Sequence, residues 1–197
     1  MIDNIDAVKL LDSKRGNAVF VATMNANNVH FGLPTITSNE KLDFPISGAM
    51  SKASNVALGL ALAQPDRKIF CLDGDGSLLM NLGSMVTISN TAPKNLIHVL
   101  FNNKVYAVTG GQPIPGAEKS DWEGMAKSAG YANVFSFDNL EDLTNGIDEA
   151  MAAVGPVFIH LVVKPEIENT PVQFRTPAKR NVHTAIADLP ETLGVKR

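Results

Sequence analysis

The sequence predicts an α/β fold in which a parallel sheet is covered by helices on both faces. Several short segments are apolar throughout, which is typical of strands buried on both sides. Segments whose apolar residues recur at helical spacing separate these strands along the chain, as in a series of strand–helix–strand units. The chain has 197 residues, of which 45% are hydrophobic and 19% are charged, so it is long enough for one domain with a substantial core. We expect a single domain over residues 1–197, with an extended tail from about residue 165.

The first third of the chain contains two predicted helices, one predicted strand and one irregular segment. Apolar residues at helical spacing predict a helix over 3–14 that ends at Gly16. The β-branched run "NAVFVATM" predicts a buried strand. Residues 25–47, which include two prolines and several asparagines, predict a loop or an irregular crossover. The segment "SKASNVALGLALAQ" then predicts a helix that ends before Pro65.

The remaining elements alternate regularly. Strands are predicted at "KIFCLD", "NLIHVLFN", "NVFSF" and "VFIHLVV". Helices are predicted at "LLMNLGSMVTISNTA", "DWEGMAKSAG" and "NLEDLTNGIDEAMAAV". A loop rich in glycine and proline, "GGQPIPGAE", follows the second of these strands. The last residues contain four prolines after residue 164, which is the reason for predicting an extended tail.

Charge and cysteine content exclude several classes of protein. The net charge is −3 and no basic stripe is present, so nothing indicates binding to nucleic acid. The single cysteine, Cys71, excludes a disulfide framework and a zinc or iron–sulfur site made of cysteines, and we interpret it as a small buried hydrophobic residue. The N-terminus lacks the apolar core of a signal peptide, and the run "VALGLALA" is too short to cross a bilayer. We therefore expect a cytoplasmic protein without membrane contact.

Two predicted strand ends carry the residues on which a functional prediction depends. The segment "GDGS" (residues 74–77) lies between a strand and a helix, and "NN" (Asn102 and Asn103) follows the next strand. Ligands of parallel sheets bind at the carboxyl ends of strands, glycines let a ligand approach the main chain, and a helix start near Ser77 offers N–H groups to an anion. Carboxylate and amide oxygens suit Mg²⁺. The pattern predicts a clamp for Mg²⁺ and a diphosphate, with Asp73 serving only to hydrogen-bond the turn.

The pair of motifs resembles the thiamine diphosphate motif of thiamine-dependent enzymes. The resemblance extends through "GLALAQPDRKIFCLDGDGSLLMNLGSMVTISNTAPKNL", "NNKVYAVTGGQP" and "MAKSAGYANVFSFDNLEDL". Over about residues 45–165 the chain is similar in order and spacing to the β subunits of sulfopyruvate decarboxylase and to the corresponding half of phosphonopyruvate decarboxylase. This resemblance implies the diphosphate-binding (PP-domain) fold and the cofactors thiamine diphosphate and Mg²⁺.

The resemblance also implies roles for individual residues. Mg²⁺ would be bound by the Asp75 carboxylate, the Asn103 amide oxygen and the Val105 carbonyl. Gly48 would accept a hydrogen bond from the aminopyrimidine, and Met50 would be the apolar wedge that bends the cofactor. The complete set of implied cofactor-binding residues is Gly48, Met50, Gly74, Asp75, Gly76, Ser77, Asn103 and Val105.

The chain departs from the family pattern at positions that bear on the substrate. Ser51 stands where the family usually has glycine, Asn102 stands where aspartate is more common, and Lys104 replaces a small or acidic residue. Because the implied substrates carry a second anion, Lys52 and Lys104 are candidates to bind it. The loop after the second motif supplies further substrate-side candidates, namely Thr109, Gly110, Gly111 and Gln112.

The resemblance implies an active site shared between two chains. The glutamate that activates the cofactor lies, in this superfamily, on a pyrimidine-binding domain that this chain is too short to contain. We therefore expect an α-type partner subunit and a hetero-oligomer of at least two α and two β chains. The implied reaction converts a 2-oxo acid, sulfopyruvate or phosphonopyruvate, into an aldehyde and CO₂.

Three alternatives remain open from the sequence. The first is a carboligase subunit similar to acetolactate synthase, and the second is a partner that binds thiamine diphosphate without catalysis. The third is a plain nucleotide-binding domain, which the absence of a "GxGxxG" motif and of a P-loop lysine disfavours.

The histidines and two aromatic residues receive no catalytic role. His98 and His160 lie within strand runs and are expected in the core, whereas His30 and His183 lie in segments predicted to be irregular. Trp122 and Tyr106 are interpreted as packing residues.

Overall fold

The fold is a six-stranded parallel sheet with helices on both faces, which confirms the predicted class. The structure is a computed structural model and describes residues 1–23, 36–46, 48–175 and 180–195. The strands of this sheet, in the order β2-β1-β3-β4-β8-β7, are β1 Val19–Thr23, β2 Asp43–Ile46, β3 Ile69–Gly74, β4 Leu96–Asn102, β7 Asn133–Phe137 and β8 Val157–Val162. A small antiparallel pair is formed by β5 Val105–Tyr106 and β6 Gln112–Pro113.

The described residues form seven α-helices and three short 3-10 helices. The α-helices are α1 Asn4–Lys14, α2 Ala53–Ala63, α3 Asp75–Leu79, α4 Ser84–Thr91, α5 Trp122–Ala129, α6 Leu140–Ala152 and α7 Val182–Thr192. The 3-10 helices are Glu40–Leu42, Ala107–Thr109 and Val172–Phe174. Within the described ranges, none of these helices has the length and apolar character needed to cross a membrane.

The sheet separates two apolar clusters. Helices α2, α4, α5 and α7 pack on one face, against side chains such as Cys71 and Phe158. Helices α1 and α6 pack on the other face, against side chains such as Phe70 and Ile159. Because both faces are covered, the central strands are apolar on both sides, which is the pattern that the sequence shows.

The central strands β3 and β4 bring the two motifs together. They run parallel, with Asp73 opposite Leu100 and Gly74 opposite Phe101. Their carboxyl ends therefore meet at one edge of the sheet, and the residues that follow each strand, Asp75 and Asn103, lie close together.

The prediction of an irregular segment over residues 25–47 was wrong at its end. Glu40–Leu42 forms a 3-10 helix and Asp43–Ile46 forms β2, which pairs with β1. Pro45 is tolerated there because β2 is an edge strand and a missing N–H costs least at an edge. The buried Asp43 carboxylate accepts from Arg15 at 2.7 Å, which compensates its charge. Residues 24–35, with His30, and Ser47 lie outside the described residues.

The single helix predicted over residues 78–92 is interrupted. Helix α3 begins at Asp75, two residues before the helix start expected near Ser77, and α4 begins at Ser84. Asn81 lies in the turn between them, and its side-chain amide donates to the carbonyl of Ser51 at 3.2 Å and to Asn55 Oδ1 at 2.6 Å. A side chain that bonds to another segment in this way competes with continuation of the helix.

The prediction of an extended tail was also wrong. Val182–Thr192 forms α7, and Asn181 caps it by accepting from the Thr184 N–H at 3.1 Å. His183 therefore lies in a helix. Ala185 and Leu189 are buried in the cluster that contains β2 residues, so tertiary packing outweighs the cost of Pro190 within the helix.

Candidate functional site

A cavity opens at the carboxyl ends of β1, β3 and β4. Eight of the residues singled out from the sequence line it: Met50, Gly74, Asp75, Gly76, Ser77, Asn103, Val105 and Thr109. They come from three segments that are distant in the chain. The parallel topology brings these segments together, and the cavity is therefore where the expected ligands would meet.

Asp75 is the most strongly constrained side chain of the cavity. It is only 3% exposed. Its Oδ1 accepts from the N–H of Gly76 at 2.8 Å and its Oδ2 accepts from the N–H of Lys104 at 2.6 Å. Burial raises the pKa of this carboxyl to about 6, although the main-chain N–H donors act in the opposite direction. A raised pKa means that the ionised form needs more stabilisation than two main-chain donors provide.

The loop after β4 is shaped by Asn103 and Lys104. Asn103 is buried, and its Oδ1 accepts from the N–H of Val105 at 3.0 Å. Lys104 has a φ of +65°, a left-handed conformation that is uncommon for a residue with a side chain. This conformation turns the N–H of Lys104 towards Asp75, and it therefore fixes the distance between the two strand-end motifs.

The segment before α2 is attached to the helix after β3. Gly48 has a φ of +69° and Ser51 has a φ of +73°. The N–H of Ser51 donates to Ser77 Oγ at 2.9 Å. A hydroxyl that accepts one hydrogen bond keeps its own proton as a donor, so Ser77 can still donate to an anion. This bond holds the half-buried Met50 at the wall of the cavity.

Gly76 is needed for a steric reason. A Cβ at this position would lie 2.5 Å from Cε1 of the Tyr106 ring, far inside van der Waals contact. Tyr106, interpreted from the sequence as a packing residue, does pack against Gly76, and it also lines the cavity.

Several expected substrate-side residues do not line the cavity. Lys52 is exposed, and Lys104 Nζ lies 2.8 Å from Glu118 Oε2 in an exposed ion pair. Gln112 bonds with Thr109 through two hydrogen bonds. Of all the cofactor-side and substrate-side residues predicted from the sequence, those that do not line the cavity are Gly48, Lys52, Lys104, Gly110, Gly111 and Gln112.

The sequence interpretation missed Thr23 at the end of β1. This residue is fully buried and lines the cavity, and its hydroxyl has no hydrogen-bond partner among the described residues. A buried hydroxyl without a partner is costly, so it is suited to a ligand. The available signal was a single polar residue at the end of the apolar run "VFVAT". The cavity also includes Asp73, Phe101, Ala107 and Val108.

The donor set fits a hard cation beside an anionic group. Within the described parts of the chain, the hydrogen bonds of the Asp75 carboxylate come from main-chain N–H groups, and no cationic side chain pairs with it. Carboxylate, amide and carbonyl oxygens are the ligands that Mg²⁺ accepts, together with phosphate oxygens. Fold and site thus define a class: a parallel α/β domain whose strand ends present groups suited to a cation and an anion.

Comparison with known proteins places the chain within one family. The family model described as thiamine pyrophosphate enzyme, C-terminal TPP binding domain, matches residues 23–161. The chain belongs to this family, and thiamine diphosphate is the cofactor that such a domain binds.

The relatives include proteins named as decarboxylases. The chain is 46% identical over 129 residues to sulfopyruvate decarboxylase subunit beta of Methanothermobacter thermautotrophicus, which is 66% of this chain and 66% of that subunit. It is 42% identical over 122 residues to phosphonopyruvate decarboxylase of Streptomyces hygroscopicus, which is 62% of this chain and 30% of that protein. The match therefore spans only part of the length of each relative.

A solved structure supports the fold. A Mycobacterium smegmatis protein described as a thiamin diphosphate-dependent enzyme matches with a TM-score of 0.68, at 21% sequence identity. The match covers 83% of this chain and 32% of that chain. At this identity the likeness concerns the fold alone.

Proposed function

We propose that this chain is the diphosphate-binding subunit of a thiamine diphosphate- and Mg²⁺-dependent 2-oxo acid decarboxylase. The proposed substrate is sulfopyruvate or phosphonopyruvate, and the products are the corresponding aldehyde and CO₂. The observation that carries the proposal is the meeting of Asp75 and Asn103 at one cavity, with the carboxylate of Asp75 buried and without a cationic partner among the described residues. The names of the relatives support this reaction.

The metal and the diphosphate are assigned to the two strand-end motifs. The Asp75 carboxylate, the Asn103 amide oxygen and the Val105 carbonyl would hold Mg²⁺. Gly74, Gly76 and Ser77 would contact the diphosphate, and the hydroxyl of Thr23 offers it a further donor. When bound, the cofactor supplies the electron sink for loss of CO₂ from a 2-oxo acid.

The other residues of the cavity orient the ligand and exclude water. Met50 forms an apolar wall, and its position depends on the bond from Ser51 to Ser77. Phe101 and Tyr106 line the same cavity. Gly48 would place its carbonyl towards the aminopyrimidine. An apolar wall beside a charged clamp lowers the local dielectric and strengthens the electrostatic interactions inside it.

We infer that a second polypeptide completes the site. The carboxylates that line the cavity among the described residues are those of Asp73 and Asp75, and both accept hydrogen bonds from the turn that carries them. The activating glutamate is therefore assigned to an α-type subunit, in a hetero-oligomer of at least two α and two β chains. The word "subunit beta" in the names of relatives supports a partner of this kind.

The proposed substrate-side residues lie in the loop after β4 and near the start of α2. Thr109 lines the cavity, and Gly110, Gly111 and Gln112 follow it in the chain. Lys52 is exposed and comes two residues after the cavity-lining Met50 in the chain. Lys104 is paired with Glu118 outside the cavity, so Lys52 is the first candidate for the second anion of the substrate, and Lys104 would serve only after leaving Glu118.

The test is a decarboxylation assay with both chains. This chain is co-expressed with its α partner and supplied with Mg²⁺, thiamine diphosphate and, in parallel, sulfopyruvate, phosphonopyruvate or pyruvate. The controls are this chain alone, Asp75→Ala, and Asp66→Ala as an exposed aspartate outside the cavity. We expect aldehyde and CO₂ from one anionic acid, only with both chains, lost in Asp75→Ala and retained in Asp66→Ala. Cofactor binding without CO₂ release from any acid would contradict the proposal and favour a carboligase or a non-catalytic partner.

A further inference from the structure

A polar chain lies buried beneath the cavity, within the apolar cluster of the α2, α4 and α5 face. His98 on β4 is paired with Cys71 on β3, and Asp73 lies two residues further along β3, so the three side chains point to the same face of the sheet. The side chains of His98 and Asp73 are both fully buried. Tyr131, two residues after the end of α5, contributes a buried hydroxyl.

Side-chain contacts link these residues one after another, from Tyr131 to His98 and from His98 to Asp73. His98 Nδ1 lies 2.8 Å from the Tyr131 hydroxyl. His98 Nε2 lies 3.6 Å from Asp73 Oδ2, and neither atom has another partner among the described residues. Asp73 Oδ1 accepts from the N–H of Gly74 at 2.9 Å. The chain of groups thus runs from the end of α5 to the residue that precedes Asp75.

One arrangement of protons gives both unpartnered atoms a partner. If the Tyr131 hydroxyl donates to Nδ1 of a neutral imidazole, the ring proton must be on Nε2. That proton then points at Asp73 Oδ2, and a small closing movement would satisfy both unpartnered atoms. A buried polar network is stabilising only when each of its members has a partner.

We propose that His98 and Tyr131 are positioning residues that hold Asp73, and through it the turn at Gly74 and Asp75, in the geometry that the ligand needs. Phe158 packs edge-on against both rings, with centroids at 5.3 Å from each, so neither ring can rotate freely. The arrangement gives the buried carboxylate of Asp73 a structural role in the core. The link to ligand affinity rests on the proposed function, whereas the hydrogen-bond chain itself does not.

A buried metal ion is the competing interpretation. Ligand atoms of Cys71, Asp73 and His98 lie within 4.8 Å of one another. However, His98 Nε2 and Asp73 Oδ2 already face each other at 3.6 Å, so a single proton between them satisfies both atoms. The hydrogen-bond chain accounts for the cluster without an ion.

The experiment compares Tyr131→Phe with Ile159→Val in the full-length chain and in its complex with the α partner. Ile159 is fully buried on the opposite face of the sheet, so Ile159→Val lowers the Tm without touching the chain of hydrogen bonds. The first readout is the ¹⁵N spectrum of the His98 ring together with the amide signals of Gly74 and Lys104. The second readout is the Mg²⁺ concentration that half-saturates thiamine diphosphate binding. His98→Gln is the second variant, in case Tyr131→Phe does not fold.

We expect a proton on Nε2 of His98 in the parent chain and shifted Gly74 and Lys104 amide signals in Tyr131→Phe. We also expect the half-saturating Mg²⁺ concentration to rise about fivefold in Tyr131→Phe, as loss of one buried hydrogen bond predicts, and to stay unchanged in Ile159→Val.

Equal effects of the two variants would overturn the proposal, as would stoichiometric zinc that Cys71→Ser abolishes. If the parent chain shows the hydrogen-bond chain and the amide shifts but its complex binds no cofactor, the proposed function fails and the structural part of the inference stands.

Discussion

The main-chain N–H of Lys104 donates to Asp75 Oδ2 at 2.6 Å, which joins the loop after β4 to the turn after β3. This bond makes one site out of two motifs that are far apart in the chain. It depends on the left-handed conformation of Lys104, and it leaves the carboxylate buried at the place where a cation would bind. The consequences for pH dependence, cofactor geometry and substrate recognition are testable.

The raised pKa of Asp75 predicts that the metal-free chain loses stability as the pH rises. The pKa is about 6 in the folded state, against an ordinary value of 3.8 for an aspartate side chain, so the folded state binds more protons between these values. The free energy of unfolding should therefore fall from about pH 4 to about pH 6, by at most about 3 kcal/mol for this group. Asp75→Asn should remove this component. Urea unfolding at several pH values, without Mg²⁺, measures it.

The comparison with a control isolates the contribution of Asp75. Asp66→Asn should keep the pH dependence of the parent chain, because Asp66 is exposed. Other buried acids, such as Asp43, whose pKa is also raised by burial, remain in both variants and contribute equally to the two curves. An Asp75→Asn curve parallel to that of the parent chain between pH 4 and pH 6 would show that the carboxyl is not held in this way.

Met50 should affect turnover more than stability. It is half-buried at the wall of the cavity, so Met50→Ala would leave space beside the bound cofactor. We expect kcat to fall by about 100-fold, because misplacement by about 1 Å is enough for such a loss, while Met50→Leu retains most activity since it conserves volume. Met80→Ala, at an exposed methionine, is the matched control and should behave as the parent enzyme. Equal kcat values for all three variants would show that Met50 only packs.

Ser51→Gly should stabilise the chain. A left-handed φ costs a residue with a side chain about 1 kcal/mol, and the bonds of Ser51 to Ser77 and Asn81 use its main-chain groups, which glycine retains. We expect a rise in Tm of about 2–4 °C. Ala92→Gly, at another left-handed residue outside the cavity, should give a similar rise, and Ser51→Ala should give none. A lower Tm for Ser51→Gly would mean that the hydroxyl itself makes a stabilising contact.

Lys104→Ala should have little effect on substrate affinity. The Lys104 side chain does not line the cavity, and its ammonium group is paired with Glu118 in solvent. We expect the KM for the anionic 2-oxo acid to change by less than about twofold, since the main-chain N–H that bonds Asp75 remains. Steady-state kinetics with Lys104→Ala and Glu118→Gln test this. A tenfold increase in KM for Lys104→Ala alone would show that Lys104 leaves Glu118 to bind the substrate.

The position of the candidate site was largely predictable because its main residues come directly after strand ends. Asp75 and Asn103 come immediately after apolar runs, and parallel strands deliver such residues to one edge of the sheet. Thr23 was missed because a single polar residue at the end of a strand has no spacing pattern. Lys104 was predicted to bind the substrate from its charge, and charge alone does not show that Glu118 lies 2.8 Å away.

By itself, the sequence determined five of the six strands of the parallel sheet, the main helices and the position of both motifs, because apolar runs and helical spacing are local properties of the chain. Only the tertiary structure decided the rest. Strand β2 exists because β1 offers an edge to pair with, and α7 forms because it packs in the cluster that contains β2 residues. The bonds from Ser51 to Ser77 and from His98 to Tyr131 join residues 26 and 33 positions apart. Such contacts depend on which surfaces the folded sheet brings together, and no local pattern encodes them.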